Sequence, residues 1–361
     1  MSGDAAPAAP ARGDEALRLV AGGRMPAEWE RHEATWLTWP HAEEHWPGKF
    51  ELVPAIWARM VRELETGEDV HVLVADETVE RRAREAMAAG GVRGERVRLH
   101  RVPNDFAWAR DHGPIFVTDA PYGESGGRRV VLDWGFNGWG GKWPHERDDV
   151  VPRHVAAITG IPCAEGPMVL EGGSIDVNGL GALLTTESCL LHPNRNPSLS
   201  RETIEENLRR FLGVRKVLWL GDGIAGDDTD GHVDDLTRFV GPRTVLTVVE
   251  DDPADENHRP LAENLERLRA MTDQDGRPLE VVTVPMPAPV VHEGQRLPAS
   301  YANFYVGNDV VLLPVFDDPA DEAAVAALRR AFPGRRVAAI PSRDLVWGLG
   351  AFHCVTQQMP A

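Results

Sequence analysis

The sequence predicts one α/β domain assembled from five ββαβ-like modules closed into a ring. Three observations carry that expectation. A strand–turn–strand–helix–strand pattern recurs along the chain. Each clear copy opens with a hairpin, unlike a doubly wound sheet, in which strands and helices simply alternate. No low-complexity linker interrupts residues 25–361. Modules that each bury only part of their apolar surface must pack on neighbours, and a closed ring leaves no sheet edge exposed.

Residues 1–20 carry Asp4, Asp14 and Glu15 among Ala and Pro, with no uninterrupted apolar segment. They read as a short disordered tail with no secretory signal, which places one folded domain over 21–361. The first module runs from a strand at Thr35–Trp39 through a helix at Val53–Leu64 to a strand at Val70–Ala75. A helix at Asp76–Ala89 and a strand at Val97–Val102 extend it. The second has strands at Pro114–Val117 and Val130–Trp134, a helix at Asp148–Ile158 and a strand near Cys163. The third takes strands at Ala182–Thr186 and Cys189–His192 across a Glu187-Ser188 turn, a helix from Ser200 to Leu212, and a strand at Lys216–Leu220. Ser200 suits the N-cap of that helix and Gly213 its C-cap. The fourth takes Leu236–Val240, a Gly-Pro turn, Thr244–Val249, a helix over 257–271 and Leu279–Val284. The fifth takes Tyr301–Val306, a Gly-Asn turn, Val310–Val315, a helix at Ala320–Ala331 and Arg336–Ile340. In every module β-rich runs split by turn residues mark strands, and Ala/Leu/Glu/Arg segments of helical period mark helices.

A formal charge of −18 disfavours a nucleic-acid partner, because nothing would neutralise a phosphate backbone. It suits a cationic ligand, although acidity also serves solubility alone. Three cysteines, Cys163, Cys189 and Cys354, are too few and too odd in number for a disulfide framework, which points to a reducing, cytoplasmic setting. No run approaches the roughly 18 apolar residues of a membrane span.

Polar segments follow the last strand of four modules: Asn104–Pro114, Leu170–Ser174, Asp227–Asp235 and the closing Gly348–Gln358. In a ring of like modules such loops converge, so these four are expected to meet. Read as extended chain, the closing segment puts Phe352, Cys354 and Thr356 on one face and His353 and Val355 on the other. A base for the Cys354 thiol must then come from elsewhere. His232 and Asp234, two residues apart, leave an extended chain from the same face and suit a positioned acid and base. Each signal alone has a plainer reading: Cys354 as a buried strand residue, His232-Val-Asp234 as a solvated strand end, Glu171-Gly-Gly as a tight turn, Arg110-Asp111 as a structural ion pair.

Together they say more. A thiol and an imidazole among three carboxylates, Asp111, Glu171 and Asp234, suit a substrate whose reacting carbon belongs to a cation. A protease instead needs donors aimed at an oxyanion. Guanidinium fits, being planar with donors in a fork that carboxylates bind in bidentate fashion. No metal is expected: Cys-x-x-Cys and His-Glu-x-x-His spacings are missing, and alternation sends His353 away from Cys354. No phosphate loop or dinucleotide fingerprint indicates a nucleotide cofactor.

These words, with Met25–Trp36 and Asp133–Gly141, span nearly the whole chain in order. The chain resembles the agmatine deiminases (agmatine iminohydrolases) of the bacterial peptidylarginine-deiminase-like family, in the guanidine-modifying superfamily. The resemblance implies a five-bladed α/β propeller (pentein), in agreement with the module count. It implies cofactor-free hydrolysis of agmatine to N-carbamoylputrescine and ammonia, and it admits a homodimer. Carried over residue by residue, Cys354 is the nucleophile and His232 the general acid and then base. Asp111 and Asp234 grip the guanidinium, and Glu171 supports His232. Trp108 and Gly350 border the substrate, and Asp227 or Asp228 is a candidate for the far amine. The family commonly reads Gly-Gly-Gly-Asn where this chain has Gly348-Leu349-Gly350-Ala351, so the chemistry is implied more firmly than agmatine itself. The rivals are another guanidine, arginine included, an amidinotransferase, and a non-enzymatic polyamine binder. Cys163 and Cys189 are expected to be structural. Carboxylates oppose ionisation of the Cys354 thiol, so bound substrate is expected to complete its activation.

Overall fold

A computed structural model describes residues 14–361. Among these the strands form five sheets of three or four strands and one separate two-stranded hairpin. In four sheets the first strand pairs antiparallel with the second, and the second pairs parallel with the third across a helix. The five ββαβ modules are therefore present, and the α/β propeller is the architecture.

The first blade completes the repeat by a route that local pattern does not reveal. Its antiparallel strand is Thr356–Pro360, the last of the chain, which pairs with His32–Thr38. That strand then runs parallel to Asp69–Val74, which pairs with Val97–Arg101. The pairing holds the segment just after Cys354 against the opposite end of the chain.

Local chemistry explains the helices. Asp76 accepts a hydrogen bond from the Val79 amide at 2.8 Å and caps Glu77–Ala89. Ser200 caps Arg201–Leu212, and Gly213 ends that helix at φ +67°, a left-handed conformation that glycine adopts without a Cβ clash. In Val53–Leu64 the buried Val53, Trp57, Met60, Val61 and Leu64 recur at helical spacing and form one face. Trp57 and Trp46 are fully buried there, and each indole N–H reaches a carbonyl, Thr38 O at 3.0 Å and Leu345 O at 2.8 Å.

Several expectations need correction. Of the expected tail over 1–20, residues 1–13 lie outside the described residues. Asp14–Gly22 is a helix, and its Ala16, Leu19 and Val20 are buried in the core beneath the second and third blades. The expected strand at Cys189–His192 is instead a helical turn over Glu187–Leu190, because the Thr186 hydroxyl caps the Cys189 amide at 3.2 Å. The first strand of that blade is Asp176–Val177, upstream. Tyr301–Val306 shortens to Tyr305–Val306, since 301–304 turn to bring Asn303 inward. The small hairpin of Val291–His292 and Gln295–Arg296 belongs to no blade. Among the described residues no helix is long and apolar enough to cross a membrane.

Candidate active site

The four polar segments do meet. Gly173, in a short 3-10 turn over Gly172–Ser174, lies between three of the expected side chains. A Cβ built there would fall 2.6 Å from His232 Nδ1, 2.8 Å from Asp111 Oδ1 and 3.1 Å from Asp234 Oδ2. Only a residue without a side chain lets them approach so closely. The second glycine of Glu171-Gly-Gly is thus a spacing device as well as a turn. His232 Nδ1 stands 3.7 Å from Asp111 Oδ1, and Cys354 Sγ stands 3.6 Å from Asp234 Oδ2.

Cys354 is not on an extended strand as its sequence suggested. Residues 352–355 form a turn, closed by the Thr356 amide on His353 O at 3.1 Å, before the last strand begins. The turn is gripped from the fifth module: Asn303 Oδ1 accepts from the His353 amide at 3.1 Å and the Cys354 amide at 3.3 Å, and Asn303 Nδ2 donates to Cys354 Sγ at 3.0 Å. His353 still points away from base duty. Its Nδ1 meets Asp234 Oδ2 at 2.6 Å and its Nε2 meets Glu28 Oε2 at 2.9 Å. Imidazole nitrogens that both face carboxylate oxygens are satisfied when both donate. Glu28 also binds Arg110 at 3.1 Å and Arg238 at 2.9 Å, so a buried cationic layer braces the Cys354 turn from behind. Arg110 spends its donors on Glu28, Gln357, Gln358 and His353 O, not on Asp111. The Arg110-Asp111 ion pair does not form.

Asp111 receives the Trp139 indole at 2.9 Å and the Gly173 amide at 3.0 Å. Glu171 pairs with Arg195 at 2.6 Å, both side chains fully buried. Arg195 in turn holds Asp230 and Thr229 O, which fixes the loop that delivers His232. Four buried polar atoms at this centre make no hydrogen bond to another nitrogen or oxygen among the described residues: both ring nitrogens of His232, which lies within 4.8 Å of the Cys189 thiol, Asp234 Oδ1 and Glu171 Oε2. Burying such atoms unpaired costs roughly 1–3 kcal/mol each, so their gathering in one place marks a site built to receive donors and a proton relay.

The electrostatics follow. Burial pushes the Cys354 thiol well above its usual range, and Asp234, Asp235 and Asp111 push it further, against the Asn303 hydrogen bond. Burial alone would lower His232, but Asp111, Cys189 and Glu171 outweigh it and hold the imidazole well above its ordinary value. Asp234 lies below the usual carboxylate range: burial would raise it, but hydrogen bonding and charge from His353, with help from His232 and Arg238, win. Asp111 is raised, mainly by burial. The resting centre is thus a thiol beside an imidazolium and an ionised carboxylate.

Above it opens a cavity of about 530 Å³. Cys354, Asp111, Trp108 and Trp139 line its inner part, and Glu44, Asp227, Asp228, Trp143 and Leu349 are among the residues nearer solvent. Gly350 does not line it. A Cβ at Gly350 would come within 2.8 Å of the Trp108 ring and 3.2 Å of Cys354 Sγ, so its place is to let Trp108 pack on the thiol turn. Among the described residues, two triads bring possible metal ligands within 4.8 Å of one another, Glu171/Cys189/His232 and Asp234/Asp235/Cys354. Their carboxylates already accept from Arg195, His353 and Asn303.

A model of the Porphyromonas-type peptidyl-arginine deiminase family matches residues 24–360. The chain belongs to that family. Among curated members of similar sequence, the agmatine deiminase of Pseudomonas aeruginosa (strain LESB58) is 39% identical over 364 residues, covering 94% of this chain and 96% of its relative. Among solved structures, the agmatine deiminase of Enterococcus faecalis superposes with a TM-score of 0.86 at 32% identity, covering 94% of this chain and 96% of that one. A cysteine-to-serine variant of the C. jejuni agmatine deiminase with substrate bound superposes at 0.83 and 28% identity, covering 93% and 96%. The resemblance read from the sequence words is borne out, and so is the mixed α/β fold it implied.

The peptidyl-arginine deiminase family words also contained residues that sequence reasoning passed over. Glu28 and Trp139 sit inside quoted motifs, but nothing in their spacing showed that Glu28 would reach His353 or Trp139 reach Asp111, and Arg110 was read only as a partner for Asp111. Asn303 was hidden in an expected strand. Arg195 carried no signal beyond being charged, and Asp235 only its place at the end of the Asp227–Asp235 segment.

Proposed function

We propose that this protein is a hydrolase that deiminates agmatine to N-carbamoylputrescine and ammonia through a thiouronium on Cys354. The observation that carries the reading is the convergence of Cys354, His232, Asp234 and Glu171 at one centre, with Cys354 and Asp111 lining the buried end of an acidic cavity and His232, Asp234 and Glu171 packed behind them. The relatives named above supply the substrate.

The guanidinium enters with its N–H forks on Asp111 and Asp234. Its charge offsets the carboxylates that hold the thiol protonated, the thiol loses its proton to water, and the thiolate attacks the guanidinium carbon. The His232 imidazolium gives its proton to one nitrogen of the tetrahedral adduct, and ammonia departs, leaving a cationic S-alkylthiouronium. Neutral His232 then takes a proton from water, hydroxide adds to the same carbon, and the C–S bond breaks to release the ureido product and the cysteine. Glu171, anchored by Arg195, keeps negative charge near His232 and so favours the protonated ring that the first half-reaction needs. Asp227 and Asp228 border the path of the far amine.

The test is ammonia release from agmatine, arginine, 4-guanidinobutyrate and a peptidyl arginine, with Cys354→Ser alongside. The expected result is the highest kcat/KM on agmatine and none for the variant. Turnover by Cys354→Ser, or preference for arginine, would overturn the proposal.

A further inference from the structure

We infer that Glu44 is the specificity-determining carboxylate that receives the substrate's distal ammonium. This rests on the proposed reading that the substrate is a guanidine with a second cation at its far end. The reacting end of the cavity is its buried end, since Cys354 and Asp111 are 5% and 6% exposed. The tail of the substrate must therefore point to solvent, where three carboxylates line the opening: Glu44, Asp227 and Asp228.

Two of the three are already committed. Asp227 Oδ1 accepts from the Thr229 amide at 2.7 Å and its hydroxyl at 2.6 Å, and Oδ2 accepts from the Gly231 amide at 2.8 Å. Those bonds shape the loop that leads into His232. Asp228 takes the Trp143 indole at 3.2 Å and lies 3.4 Å from Lys142 Nζ, so its charge already faces a cation. Lys142 also binds Asp230 at 3.0 Å. Glu44 differs. It is exposed, on the short 3-10 helix Glu43–His45, and its carboxylate accepts no hydrogen bond and meets no cation among the described residues. Its neighbour His45 stacks on Phe106 with ring centroids 4.2 Å apart, and burial lowers that imidazole to about 4, so it carries no charge at neutral pH to offset Glu44. Trp108 packs on Trp46 at 5.5 Å, which fixes the same short helix to an aromatic wall suited to a methylene chain. An alkyl guanidine laid along that wall brings its far ammonium to the one acid with unspent charge.

The experiment compares Glu44→Gln with wild type on agmatine and on n-butylguanidine, which lacks the amine, at low and moderate salt. The ratio of kcat/KM for agmatine to that for butylguanidine should fall about 3- to 5-fold, the size of a solvent-exposed ion pair. The loss should lie in KM and shrink as salt rises. Equal losses on both substrates, or no change in the ratio, overturn the assignment. So does an amine-specific loss in Asp228→Asn that Glu44→Gln does not show. Failure of the underlying reading is separately visible, because wild type would then release no ammonia from agmatine at all.

Discussion

Replacing Gly173 with alanine isolates the spacing on which the site depends. Gly173 has no positive φ, so an alanine meets no backbone penalty and slightly restricts the unfolded chain. Its methyl would nonetheless sit 2.6 Å from His232 Nδ1 and 2.8 Å from Asp111 Oδ1. Ordinary contact begins near 3.4 Å, so His232 must retreat by about 0.8 Å and Asp111 by about 0.6 Å. Misplacing catalytic groups by around 1 Å costs on the order of 10²-fold in rate, or about 2.7 kcal/mol in the barrier. The assay is steady-state ammonia release from agmatine, paired with thermal unfolding to show that the fold survives. The expected outcome is a roughly 100-fold lower kcat with Tm moved by only a few degrees. A variant that folds and retains activity within a factor of about three would refute the argument that these groups work at the separations described.

Other outcomes follow from the same geometry. Titrating the Cys354 thiolate by its ultraviolet absorbance should place ionisation above the ordinary thiol range in free enzyme and lower once a non-reactive guanidinium analogue is bound; no downward shift contradicts substrate-assisted activation. Glu28→Gln removes the charge shared by Arg110, Arg238 and His353. Burial raises Glu28, but those cations hold it well below its usual value, so its contribution is full above the unfolded carboxyl value and lost as pH falls through the folded one. In denaturant unfolding the variant should be less stable by about 2 kcal/mol or more at pH 7, with the gap closing below about pH 4.3, and a pH-independent gap contradicts this. Arg195→Ala leaves Glu171 buried and unpaired, so unfolding should show a loss of about 3–5 kcal/mol, and a loss below about 1 kcal/mol would contradict the buried pair.

Repeat architecture was legible because it is written locally. Helices at Val53–Leu64, Arg201–Leu212 and Ala320–Ala331 and strands at Ala182–Thr186, Val310–Val315 and Thr244–Val249 follow from period and caps alone. What failed was decided at a distance. The antiparallel partner of the first strand lies at the far end of the chain, and no window of sequence contains both. The turn at Cys354 exists because Asn303 clasps its backbone, and Asn303 is free to do so because its own segment leaves the sheet early. At the site, the thiol, imidazole and carboxylates were legible as residue types. Their second layer, with Glu28 under His353 and Arg195 behind Glu171, was not, since buried charge networks form between residues whose spacing obeys no period.

The proposed reaction requires covalent chemistry at one sulfur. Rapid-quench mass spectrometry of wild-type enzyme mixed with agmatine should show, on the peptide carrying Cys354, a transient adduct with the mass of agmatine less ammonia. The same peptide from Cys354→Ser should carry nothing. Agmatine consumed with no such adduct at any mixing time, or an adduct on Cys189 or Cys163 instead, would contradict the proposal that the thiol at 354 attacks the guanidinium carbon.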